Sequence, residues 1–128
     1  MVGLVVALAA GCAAVPPLSD PKAIQPADLA SLAGEWQGRI YGSFGTPGFR
    51  QVSRSLRLTF EPNGTFRSNI DGIPGQGTAR LVDGRLVYEG SGNRGTASLH
   101  ERGGRPVIRG EGTLVGASGW SAFEVSRP

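Results

Sequence analysis

The sequence predicts an all-β fold: a small antiparallel up-and-down barrel of about eight strands, preceded by a short N-terminal helical turn. Three observations predict it. Glycine supplies 21 of 128 residues, while Lys and Met, both good helix formers, occur once each; that composition suits short strands joined by tight turns. From Glu35 onward apolar and polar residues alternate with a period of two, the strand period. A unit also recurs: Gly77-Thr78-Ala79-Arg80-Leu81 is echoed by Gly95-Thr96-Ala97-Ser98-Leu99 and more faintly by Gly112-Thr113-Leu114, a spacing of 17–18 residues, which is one hairpin. Closing such a meander removes its edges, and eight strands leave an interior that side chains fill or one small ligand occupies. A two-sheet sandwich is the alternative arrangement.

The elements follow in order. Val2–Gly11 is an uncharged apolar run directly before Cys12. Ten helical residues rise only about 15 Å, half the hydrocarbon thickness of a bilayer, so this is a signal-peptide apolar region and not a spanning helix. Ala13–Gln25 is aperiodic, with prolines at 16, 17 and 21, and reads as an extended tether. Pro26–Gly34 makes one helical turn closed by Gly34. The expected organisation is 1–11 signal peptide, 12–33 tether and helical turn, and 34–128 barrel.

Glu35–Gly42 places Trp36, Gly38, Ile40 and Gly42 on one face. Leu56, Leu58 and Phe60 then alternate with Arg57, Thr59 and Glu61. Pro62-Asn63-Gly64 is a turn. If Glu61 pairs Thr65 across it, Phe60 meets Phe66 and Leu56 meets Ile70 on one side, so register and hydrophobic pattern agree. Asp83-Gly84 is a two-residue hairpin signal that sets Leu81 against Leu86 and Ala79 against Tyr88. Gly103-Gly104 occupies the equivalent place one repeat later. The last strand, Trp120–Arg127, alternates Phe123 and Val125 against Ala122 and Glu124.

Thirteen basic and ten acidic residues give a net charge of +3, and twelve of the thirteen are Arg, spread from Arg39 to Arg127. Nucleic-acid recognition needs a basic patch with interleaved aromatics; none is present, and no nucleic-acid partner is expected. The single cysteine cannot form an intrachain disulfide. His100, the only histidine, falls on the outward phase beside Glu101 and reads as a solvated surface residue; with no second His or Cys partner it completes no metal site. Gly90-Ser91-Gly92-Asn93-Arg94-Gly95 spells G-x-G-x-x-G, but a strand pattern follows it instead of a helix, so it is a hairpin loop. No nucleophile, base and orienting acid come together. Neither enzymatic activity nor a cofactor is expected.

Leu8-Ala9-Ala10-Gly11-Cys12 resembles the lipobox of bacterial lipoproteins, with Ala9 at the place usually held by a larger apolar residue. The resemblance implies cleavage before Cys12, acylation of Cys12 with palmitate-type chains, and anchoring to the envelope. Ala13 after the Cys implies the outer membrane, with the barrel facing the periplasm. Gly34-Glu35-Trp36 resembles the G-x-W entry of lipocalins, avidins and related calycin barrels, which implies structural roles for Gly34 and Trp36 and a basic residue, here Arg127, packed over the indole. Leu32-Ala33-Gly34-Glu35-Trp36 also looks like the start of small secreted metalloprotease-inhibitor barrels, although their disulfide is absent.

Two functions remain open. In the first, the anchored barrel is a monomer that binds a small apolar ligand or lipid at its mouth, with Phe44, Phe49, Tyr41 and Trp120 as contacts. In the second it is an envelope protein-interaction module, such as a periplasmic protease inhibitor, with a filled core. A hollow interior favours the first and a solid one the second.

Overall fold

The computed structural model describes residues 15–43, 52–116 and 119–128. Cys12, Phe44 and Phe49 lie outside the described residues. A 3-10 turn, Pro26–Leu32, leads into eight strands: β1 (Gly34–Gly42), β2 (Val52–Phe60), β3 (Thr65–Ile70), β4 (Ile73–Val82), β5 (Arg85–Gly90), β6 (Asn93–Arg102), β7 (Arg105–Leu114) and β8 (Trp120–Ser126). They close into a barrel in sequence order, each antiparallel to the next, with β8 returning to β1. The fold is the one expected, and the sandwich is excluded.

The hairpins carry the registers their turn residues dictate. Phe60 pairs Phe66 and Leu56 pairs Ile70; Leu81 pairs Leu86 and Ala79 pairs Tyr88. Asp83 and Gly84 have φ of 52° and 78°, the paired left-handed residues of a tight hairpin turn whose twist matches the strands. Asp71-Gly72 makes the same turn, with φ of 49° and 89°, between β3 and β4.

The barrel has two unlike ends. The hairpins after β2, β4 and β6 lie at one end with the 3-10 turn, and this end is closed. The connections after β1, β3, β5 and β7 lie at the other. Inward positions hold Trp36, Ile40, Leu56, Leu58, Phe66, Leu86, Tyr88, Ala97, Ile108, Phe123 and Val125, all buried.

One expectation needs correction. The segment read as a tether is docked along the barrel. β5 pairs β6 only from Arg94 to Ala97, yet β6 runs on to Arg102, which leaves its last residues without a neighbour on that side. Residues 18–24 fill the gap as a strap. Leu18 bridges Arg102 and Lys22 bridges Leu99. Ser19 N donates to Glu101 O at 2.8 Å, Lys22 N to Leu99 O at 2.7 Å and Ile24 N to Gly84 O at 2.9 Å. Ile24 (2% exposed) and Leu32 (6%) belong to the core, so the packed unit reaches well before Gly34. An unpaired strand end must find partners for its backbone groups, and the nearest chain supplies them.

Candidate functional site

The closed end is locked by one set of contacts around Trp36. Gly34 enters β1 at φ +106°, and a Cβ there would stand 3.0 Å from Arg127 Nη1; glycine removes both the strain and the clash. The Arg127 guanidinium carbon lies 4.2 Å from the Trp36 ring centroid. Its Nη1 donates to Ala33 O at 2.9 Å and its Nη2 to Ser31 O at 2.6 Å. Trp36 Nε1 donates to Leu32 O at 2.9 Å. Strand start, strand end and 3-10 turn are thereby tied together, which is the arrangement the G-x-W resemblance implied.

His100 departs from expectation. It does face outward, but the strap covers it and leaves it 8% exposed. Its Nδ1 lies 2.8 Å from Ser19 O and its Nε2 2.8 Å from Ser98 Oγ. Alternation along β6 describes only the barrel's own two faces and could not register a third layer. Beside it Lys22 pairs with Glu101 at 2.6 Å, and Ser19 Oγ accepts from Glu101 N at 2.8 Å. Further round, the Arg102–Glu124 pair at 2.7 Å holds the Glu124 carboxyl below the usual range, chiefly through the Arg102 hydrogen bond.

The lumen is solid. Several inward positions are glycine because another group already occupies the space. A Cβ on Gly110 would stand 2.2 Å from the Phe123 ring; on Gly77, 2.5 Å from Phe66; on Gly112, 2.8 Å from the Tyr88 hydroxyl. Phe123 and Tyr88 meet edge to face at 5.6 Å. The aromatics thus lie across glycine-bearing strands and plug the barrel, and all three are buried. The larger concavities are on the outer wall: one of about 610 Å³ bordered by Arg57, Arg67, Asn69 and Gln76, another of about 560 Å³ bordered by Gln37, Ser55, Arg57 and Asn69.

Two buried hydroxyls, Tyr88 and Ser121, have no partner at full hydrogen-bond geometry. Burial pushes the Tyr88 phenol up to about 12; the nearby Ser121 hydroxyl moderates the rise and the charge of Glu111 adds to it.

Of the expected ligand contacts, Tyr41 and Trp120 are described, and neither points into the lumen. Tyr41 pairs Ala122 and Trp120 pairs Thr113 on the outward phase of their strands, so both sit on the outer wall near the open end. Among the described residues that end carries three large exposed apolar side chains: Ile73 (67%), Val115 (49%) and Trp120 (44%). Sequence reading singled out Trp120 but missed Val115 and Ile73, which flank turns. Among the described residues no group of three or more His, Cys, Asp or Glu is placed to hold a metal, and no helix is long and apolar enough to cross a membrane.

Fold and closed-end latch define the class: a small, closed, eight-stranded antiparallel β-barrel consistent with a calycin-like fold. The comparisons add no nearer relative, since the chain matches no family model, no curated protein and no solved structure.

Proposed function

We propose that this chain is a lipid-anchored envelope protein whose barrel is a protein-interaction module, not a carrier of small apolar ligands. The observation that carries this reading is the plugged lumen, where Phe123, Phe66 and Tyr88 occupy the space over Gly110, Gly77 and Gly112. Carrier sites are concave and bury most of their ligand; the concavities here open outward between polar side chains. The exposed apolar residues described on the rim of the open end, one aromatic and two aliphatic, are of the kind a protein contact uses. Inhibition of an envelope protease is one role of this kind. The lipobox-like Leu8–Cys12 supports the anchor and the envelope location, and the reading assigns no catalytic step.

Titration with palmitate, followed by the emission of Trp120, tests the central claim. No saturable change is expected. A stoichiometric, saturable shift in Trp120 emission would return the barrel to the ligand carriers.

A further inference from the structure

We infer that the strap is a short leash: it holds the closed end of the barrel, at the β6–β7 hairpin, against the bilayer and turns the Trp120 end away from it. This rests on the proposed anchoring through Cys12. The contacts of the strap nearest Cys12 in sequence fall at the β6–β7 hairpin. Pro16 packs on Gly103, its Cγ 3.3 Å from where a Cβ of that glycine would stand. Leu18 bridges Arg102 and Ser19 bonds Glu101, at the end of β6 that turns into β7. Only four residue steps separate Cys12 from Pro16, and these span at most roughly 14 Å fully extended.

A free tether as far as residue 33 would have reached roughly 70 Å. Docking of residues 16–25 removes most of that reach. The ten residues of β6 rise about 33 Å along the strand, or about 25 Å along the axis of a barrel with the usual strand tilt. The open-end rim of Ile73, Val115 and Trp120 therefore stands no more than about 40 Å from the acyl chains. The partner this geometry fits is a protein seated in or on the same membrane.

The test uses the full chain, lipidated in cells and reconstituted into phosphatidylethanolamine–phosphatidylglycerol vesicles that carry a headgroup-linked energy acceptor. Because acylation consumes the only native cysteine, a donor dye can be placed at one introduced thiol: Arg105→Cys on the β6–β7 hairpin, or Val115→Cys at the open end. Energy transfer is expected to be several-fold stronger from position 105, and a long Gly-Ser insertion between Ala14 and Val15 is expected to erase the difference. Equal transfer from both positions, or stronger transfer from 115, overturns the inference while the protein still floats with the vesicles. Failure to float overturns the anchoring reading itself, and the leash with it.

Discussion

At the level of single residues, Trp36 shows how one side chain can be held by an arginine and the carbonyls around it. Its ring is 1% exposed, its Nε1 is spent on Leu32 O, and Arg127 lies on its face while bonding Ala33 and Ser31. Losing a large buried aromatic costs about 3–5 kcal/mol, whereas a cation over an indole contributes about 0.5–2 kcal/mol. Urea unfolding should therefore show Trp36→Ala severely weakened and Arg127→Ala less so. Arg127→Lys should fall between wild type and Arg127→Ala, because an ammonium keeps the charge but not the forked donors that reach two carbonyls. Wild-type stability in Trp36→Ala would show that this latch does not hold the barrel. Tyr88 gives a second expectation. Its phenol ionises near 10 when unfolded and about 12 when folded, so its contribution to stability is complete below pH 10 and is lost as pH rises through 12. Tyr88→Phe deletes both the ionisation and an unpartnered buried hydroxyl. It should equal or exceed wild type at neutral pH, and its alkaline unfolding midpoint should be higher; a midpoint unchanged from wild type would assign the alkaline loss to other groups.

The elements divide into those legible in the sequence and one that was not. Pairings across Asn63-Gly64 and Asp83-Gly84 could be read because turn residues fix register locally and the hydrophobic alternation checks it. Asp71-Gly72 carried the same signal, and the exposed Ile73 after it is also in phase with the pattern. The strap gave no such signal. Its docking depends on β5 being six residues and β6 ten, a mismatch between neighbours that no local pattern encodes. Ile24 is one of a few scattered apolar residues in an aperiodic stretch, so neither its burial nor that of His100 beneath the strap could be inferred. Deleting residues 1–25 should leave the β-sheet signature in circular dichroism. It should speed amide exchange at Glu101, whose N–H bonds Ser19 Oγ, and lower stability by about 2–5 kcal/mol for the lost Ile24 packing. Residues of β6 that face β5, such as Thr96, should exchange as before. Unaltered exchange at Glu101 would mean that the strap is not seated in solution.

Across the whole molecule the repeated glycines do two things at once. At Gly38, Gly77, Gly95 and Gly112 a neighbouring strand's carbonyl oxygen comes within 1.9–2.2 Å of where a Cβ would sit, so these are corners where the sheet coils tightly. Tight coiling narrows the barrel, and the same missing side chains make room for Phe66, Tyr88 and Phe123 to cross it. The glycine repeat was visible in the sequence, but whether the barrel it closes is hollow or plugged was not, because that depends on which aromatics lean over which glycines. Phe123 offers the decisive perturbation. Its ring occupies the space over Gly110, which has no side chain to relax into a vacancy, so Phe123→Ala should open a cavity that keeps most of the truncated volume. The cost, about 3–5 kcal/mol, is a large share of the roughly 5–15 kcal/mol that keeps a domain folded, so the variant should be marginal but foldable. Apolar cavities of this kind stay dry and accept small apolar molecules. A ligand that binds only the folded form stabilises it in proportion to the logarithm of its concentration over Kd. Benzene or indole should therefore raise the melting temperature of Phe123→Ala and leave that of the wild-type protein unchanged. An equal rise in the wild type would mean that the lumen already has room, and the reading of this barrel as a solid interaction module would fall.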